Sequence, residues 1–200
     1  MMGIRYGKRM GDGSRGFTLI ELMVVMGLIV IMGVVATSFS STGWLAHARL
    51  KGAASDLHSA MQKARMNAIK GNRTWCILFD TTAPGTYRLQ YLTDAKVWQD
   101  GGGNVSLGSY NANVSFGFGP ATIDVSGASV GAGSQAITCV DGSVAPAVPA
   151  TSPQYRLTFT SQGLSNGGYC YLTNSNGSYA VGTSIAGSVR TRKWNNAAFR

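Results

Sequence analysis

The sequence predicts an α+β fold in which a long N-terminal helix packs on a C-terminal antiparallel β-sheet domain. Three observations predict it: a basic start followed by an apolar run, a stretch with helical spacing of apolar residues, and a remainder that alternates with period two. We therefore divide the chain into a basic leader (1–16), an apolar helix (17–40), an amphipathic helix (41–72) and a β-rich globular domain (73–200).

The composition excludes several protein classes. The 200 residues suit one domain, or one domain with an anchor, and 12% charged residues is low for a cytosolic protein. Three cysteines are too few for a disulfide-framed miniprotein, and the 27 glycines lack the three-residue period of collagen. The net charge of +9 favours an acidic polymer or an anionic membrane surface as partner.

The apolar run can cross a membrane. From Phe17 to Ala36, Thr18 and Glu21 carry the only polar side chains. Twenty helical residues measure about 30 Å, which matches the hydrocarbon core of a bilayer. The basic residues stand before the run, so the N-terminus is expected in the cytoplasm and the globular domain outside the inner membrane.

A cleaved secretory signal is the alternative interpretation, with its cleavage site between Val35 and Ser38. Glu21 argues against it, because a carboxylate within a span costs roughly 2.5 to 3.5 kcal/mol and is retained where it acquires a partner. Snorkelling of Glu21 to the interface explains why the residue is tolerated, but not why it is present.

The segment Gly16 to Val25, GFTLIELMVV, resembles the N-terminal signature of type IV pilins and type II secretion pseudopilins. The resemblance implies that a prepilin peptidase cleaves between Gly16 and Phe17 and methylates the new N-terminal Phe17. It also implies the pilin fold, other pilins as partners, and a final place in a pilus or pseudopilus. A free amine on Phe17 supplies the positive charge that Glu21 of a neighbouring subunit needs.

An amphipathic helix is predicted over residues 44–70, where apolar residues recur at steps of three or four. The members of this stripe are Leu50, Ala53, Leu57, Met61, Ala64 and Ala68. Gly71 and Asn72 end the helix. No proline occurs between residues 17 and 83, so we expect one long helix, which the stretch from Ser40 to Gly43 could bend.

Strands are predicted after Asn72 because apolar and polar residues alternate. The alternating stretches are 75–80, 87–91, 114–118 and 155–159. The glycine-rich stretches 100–108 and 127–133 are interpreted as surface loops. Neither precedes a predicted helix, so neither forms a phosphate cradle.

Three further segments narrow the resemblance: Ala64 to Ile69 (ARMNAI), Leu157 to Gly163 (LTFTSQG) and Gly187 to Arg192 (GSVRTR). They are similar to segments of H-type pseudopilins and FimT-like minor pilins. The tail in that family usually reads Gly-Arg-x-Arg, and here Ser188 stands in place of the first arginine. The resemblance hardly covers residues 81–150.

No catalytic, metal or cofactor site is predicted. His47 and His58 share a helix face, but about 16 Å of helical rise separates them, so one metal ion cannot be held by both. The motifs HExxH, GxSxG and GxxxxGK do not occur, and the carboxylates are scattered singly. We therefore expect a protein that is not an enzyme.

The three cysteines predict one disulfide, since thiols tend to pair outside the cytoplasm. Cys139 and Cys170 fall in predicted strands, and a bond between them would contribute about 3 to 4 kcal/mol in the chain-entropy model. Cys76 is expected to be a buried thiol. Pairing of Cys76 with either other cysteine is the alternative.

The chain ends with four basic residues and one indole: Arg190, Arg192, Lys193, Trp194 and Arg200. If residues 188–194 form a strand, Arg190, Arg192 and Trp194 point to one face, where they could contact phosphates and stack on a base. A solvated tail that keeps the protein soluble or touches anionic lipid is the other interpretation.

These observations predict a minor pilin or H-type pseudopilin, a structural subunit of a type IV pilus or a type II secretion pseudopilus. The alternative is a pilus-associated minor pilin that captures DNA for uptake through its basic tail. The run from Phe17 to Ala36 lacks the helix-breaking proline that major pilins commonly carry, which favours a minor component.

Overall fold

The computed structural model describes residues 17–40, 43–111, 113–139 and 155–200. The chain divides into two compact units, residues 1–42 and 43–200. In the first unit, helix α1 runs over Leu19–Ser40, and its described side chains up to residue 35 are exposed on every side of the helix. Among the described residues, no helix is both long enough and apolar enough to cross a membrane.

Helix α2, Gly43–Lys70, opens the second unit, and its predicted apolar stripe is fully buried. The helix ends where the sequence predicts. The Gly71 N–H donates to the Asn67 carbonyl at 2.9 Å, and the Arg73 N–H donates to the Ala68 carbonyl at 3.1 Å. Asn72 adopts φ of 46°, which closes the helix in the left-handed conformation typical of such ends.

In the described part of the chain, eight strands form two antiparallel four-stranded sheets, in the orders β3-β2-β1-β5 and β4-β6-β7-β8. Their bounds are β1 Trp75–Asp80, β2 Thr86–Leu92, β3 Trp98–Ser106, β4 Ser115–Phe116, β5 Tyr155–Phe159, β6 Gly168–Asn174, β7 Gly177–Thr183 and β8 Val189–Lys193. Helix α2 contacts strands of both sheets. The main core lies between the helix and these strands. The predicted α+β fold is confirmed.

The prediction of a surface loop over residues 100–108 is wrong. Most of it belongs to β3, which pairs with β2, and a short 3₁₀-helix follows at Leu107–Tyr110. The glycines suit this strand because a side chain at Gly101 would meet the ring of Trp75, and Gly102 and Gly103 adopt positive φ at irregularities in the pairing.

A second, smaller core covers the face of the β4-β6-β7-β8 sheet that points away from α2. It contains Ala121, Tyr171, Ala180, Trp194 and Phe199. The strand expected over residues 114–118 shrinks to β4, which pairs with β6. Phe118 instead packs against this second core, with its ring 4.3 Å from that of Tyr171.

Candidate functional site

The first turn of α1 carries a helix cap built from the residues of the N-terminal signature. The Glu21 N–H donates to Thr18 Oγ1 at 3.3 Å, and the Leu22 N–H donates to the Thr18 carbonyl at 3.2 Å. Thr18 and Glu21 thus have the Thr-x-x-Glu spacing of a capping box, and the carboxylate lies at the positive end of the helix dipole. The Thr-x-x-Glu spacing is visible in the sequence and indicates that Glu21 has a local role at the helix end besides ion pairing.

The predicted processing and assembly residues fall at this same helix end. Phe17 lies two residues before the helix and is 80% exposed, and Glu21 is exposed in the first turn. Gly16 and the leader lie outside the described residues. The exposed carboxylate of Glu21 is therefore accessible to a cation from a neighbouring helix.

The three segments that carry the narrower resemblance meet in the folded domain. A Cβ atom at Gly187 would overlap the Gly163 carbonyl oxygen and would lie 3.1 Å from Arg65 Nε. Both glycines adopt positive φ, 78° at Gly163 and 76° at Gly187. The β5–β6 turn, the β7–β8 turn and α2 therefore contact one another at a point where only glycine fits both turns.

Ser188 has a local structural role at the position of the family arginine. Its N–H donates to Ser184 Oγ at 3.3 Å, and the two hydroxyl oxygens lie 2.9 Å apart. The Gly187 N–H also donates to the Ser184 carbonyl at 2.8 Å. Ser188 thus closes the β7–β8 turn, and the positive charge that the family pattern places there is missing.

The basic tail forms the edge strand β8, and its residues divide between two faces. Arg190 and Arg192 lie on the same face as Trp194, as predicted, whereas Lys193 lies on the other. Trp194 is only 5% exposed, because the chain folds back and places the Phe199 ring 5.3 Å from the indole. The predicted stacking of a base on Trp194 is therefore wrong.

Two family models match this chain. The prokaryotic N-terminal methylation motif matches residues 12–37, and type II transport protein GspH matches residues 53–188. The second match covers more than half of the 200 residues. The chain belongs to the GspH family. No curated protein and no solved structure matches it.

Membership of the GspH family confirms the resemblance that the sequence motifs predict. The chain is a minor pilin or pseudopilin subunit of type II secretion or pilus assembly, and the matching family is one of structural subunits. Membership also implies processing by a prepilin peptidase and contacts with other pilins. Among the described residues, no group of three or more His, Cys, Asp or Glu side chains could hold a metal ion.

DNA binding by the GspH-family domain stays a prediction. If Arg190 and Arg192 contact phosphates, a fragment of residues 43–200 should bind duplex DNA of any sequence with a log-log salt slope of about two. Changing both arginines to glutamine should abolish most of that slope, which a fluorescence titration at several salt concentrations measures. If the fragment has no affinity for DNA at low salt, or if the double change does not affect that affinity, only the structural role remains.

The two cysteines of the predicted disulfide both lie in the main core of the GspH domain. Cys139 and Cys170 are fully buried free thiols. Burial raises the pKa of Cys139 to about 12, and burial together with the nearby Cys139 raises that of Cys170. Cys139 lies beyond the isolated bridge between Ile137 and Cys170, so its placement in a predicted strand is wrong.

Cys76 lies on the other face of β1. Ile77 and Phe79 belong to the main core, and side chains alternate along a strand, so Cys76 points away from Cys139 and Cys170. This placement disfavours the alternative pairings. Cys139 and Cys170 carry no disulfide in the structure, and their bond stays a prediction for the exported, oxidised chain. Peptide mapping without reductant should find the two cysteines joined, and free alkylation of both would contradict the prediction.

Further polar side chains of the GspH domain fix α2 to its surroundings. The Tyr110 hydroxyl donates to Asp56 Oδ2 at 2.5 Å, and His58 Nδ1 lies 3.0 Å from Thr191 Oγ1 on β8. Burial raises the pKa of Tyr87 to about 12, so this core phenol stays protonated at neutral pH. These contacts give Asp56 and His58 roles in packing.

Proposed function

We propose that this GspH-family chain is made as a prepilin and is held in the inner membrane by residues 17–40, with its N-terminus in the cytoplasm. Prepilin peptidase cleaves between Gly16 and Phe17 and methylates Phe17, and the subunit then enters a pilus or pseudopilus. The supporting observation is a capped helix that is apolar on all sides and exposes Glu21, the only charged residue between 17 and 40.

The apolar surface of α1 does not by itself select a position in the filament. Lipid tails and neighbouring helices cover apolar side chains about equally well, so transfer from membrane to bundle changes little apolar burial. The carboxylate of Glu21 differs, because it is costly in apolar surroundings until a cation compensates it. Pairing with the Phe17 amine of a neighbouring subunit therefore sets the register and the order of addition.

The folded domain, residues 43–200, is the part that the filament displays. Helix α2 packs on strands of both sheets, and the family segments meet where the turns contact Arg65. The packing of α2 on the sheets therefore fixes the position of the domain's surface residues relative to α2. Its role in this proposal is to present contacts to other subunits of the assembly.

Fractionation of the host bacterium tests the proposal. The full chain should be found in the inner membrane when other pilin genes are deleted, and partly in the sheared filament fraction when they are present. A matched control is residues 43–200 exported behind an ordinary secretory signal, which should stay in the periplasmic fraction. Recovery of the chain in the periplasm in a shortened form that lacks α1 would contradict the proposal.

A further inference from the structure

Four large apolar side chains are exposed at the C-terminal end of α2 and in two neighbouring turns. They are Met66 (53% exposed), Ile69 (48%), Leu164 (44%) and Ile185 (75%), and we call them the distal patch. Scattered apolar side chains are normal on a protein surface, whereas a contiguous group indicates a contact surface.

The two turns that carry part of the distal patch are joined to the helix and to each other. A Cβ atom at Gly163, next to Leu164, would lie 3.0 Å from Ile69 Cδ1. The Ser165 N–H donates to the Ile185 carbonyl at 3.0 Å, which joins the two turns. Met66 and Ile69 are three residues apart and share a helix face.

The distal patch is also preorganised. Ser165 Oγ lies 2.8 Å from Thr183 Oγ1 in a buried contact, and Gly163 and Gly187 leave no space for a side chain between the turns. A partner would therefore bind without first ordering these loops. Binding to such a surface loses less conformational entropy than binding to mobile loops.

The surroundings of the distal patch are basic. Arg65 lies beside Gly163 and Gly187, and its buried Nε has no hydrogen-bond partner among the described residues. Lys70 and Arg73 follow along the end of the helix. After α1 the chain carries more than twice as many Lys and Arg as Asp and Glu residues, which disfavours contact with a second copy of itself.

The chemistry of the distal patch favours a protein as its occupant. Met66 to Ile69 lie at the C-terminal end of α2, roughly 35 Å from Gly43 at 1.5 Å per residue. A nucleic acid would use the cations but has no need of four apolar side chains. A protein surface uses both.

We propose that the distal patch is the docking surface for a different pilin-family subunit whose contacting surface is apolar and carries carboxylates. The apolar side chains supply burial, and the surrounding cations select an acidic partner. This proposal rests on the proposed function and adds to it where on the domain a neighbour docks.

Photo-cross-linking of the full chain in the host tests the docking surface. We place p-benzoylphenylalanine at Ile185 or at Leu164, with Val97 as control because Val97 is 55% exposed in the β2–β3 turn. The Ile185 and Leu164 chains should form an adduct with another protein that has a pilin-type N-terminus. Mass spectrometry should map the adduct to a peptide containing Asp or Glu beside apolar residues.

A charge pair at Met66 tests the selection of an acidic partner. In the Ile185 cross-linking chain, Met66→Glu should lower the adduct about fivefold by like-charge repulsion, whereas Met66→Lys should retain or increase it. Equal effects of the two changes would overturn the proposal. So would an adduct yield no higher than that of Val97, or adducts with lipid, nucleic acid or a second copy of this chain.

The same cells distinguish this failure from failure of the proposed function. Processed chain in the filament fraction without an Ile185 adduct would overturn the docking surface alone. Absence of the chain from both membrane and filament fractions would overturn both proposals.

Discussion

Replacing Glu21 by alanine should leave the chain in the inner membrane and lower its amount in sheared filaments at least about tenfold, because losing one partner of a buried ion pair leaves the other charge uncompensated. Insertion should be unchanged or slightly favoured, since a costly carboxylate leaves the apolar segment. Quantitative immunoblotting of membrane and filament fractions measures both effects.

Two matched variants separate ion pairing from helix capping at this site. Glu21→Gln keeps a side chain suited to the capping box but removes the charge, so it should assemble as poorly as Glu21→Ala. Thr18→Ala removes the hydroxyl that accepts the Glu21 N–H, at a cost of about 1 kcal/mol of helix stability, and keeps the carboxylate. Normal assembly of Glu21→Gln together with loss of assembly in Thr18→Ala would assign Glu21 a capping role alone.

Gly187→Ala should destabilise the folded domain by about 2 to 4 kcal/mol, which is the largest effect on folding expected here. The new Cβ would overlap the Gly163 carbonyl oxygen, and φ of 76° is unfavourable for alanine. The two turns would have to separate, and the contact with Arg65 would be lost. Urea unfolding of residues 43–200, followed by circular dichroism, measures the loss.

Gly127→Ala is the control for the conformational part of this effect. Gly127 has φ of 89°, but its Cβ would have nothing within 4 Å. Its change should therefore cost only the positive-φ penalty, about 1 kcal/mol. Equal destabilisation by the two substitutions would show that the contact between the turns contributes nothing.

The sequence predicts the amphipathic helix well because burial on one face imposes a strict spacing. All six residues of the predicted stripe are buried in α2. The end at Gly71 and Asn72 is equally predictable, because it depends on local backbone preferences. The sequence alone therefore suffices to predict a helix that buries one face against the core.

Local sequence patterns do not predict strand β3 or the burial of Trp194, because both depend on where the chain folds back on itself. Gly101 lies in a strand because the ring of Trp75 covers it, and a glycine run has no alternation to show this. Trp194 is covered by Phe199 after the chain reverses, so strand parity gives its face but not its exposure. The meeting of Gly163, Gly187 and Arg65 is likewise a product of topology.

The N-terminal site is predictable in its residues but incomplete in one chain. The motif identifies Phe17 and Glu21, and the structure places both at one exposed helix end. In the proposed function the cation that pairs with Glu21 comes from another subunit, so one chain alone does not contain the complete site. The acidic neighbour proposed for the distal patch is likewise a second chain.

The intact mass of the chain purified from membranes tests the central claim most directly. A pilin-type subunit predicts one species that begins at Phe17 and carries one additional methyl group on its N-terminal amine. Deletion of the prepilin peptidase gene should return the mass to that of the chain with its leader. A mature chain that begins at Thr37 or Ser38 would contradict the account, because the apolar helix would then be a discarded secretory signal.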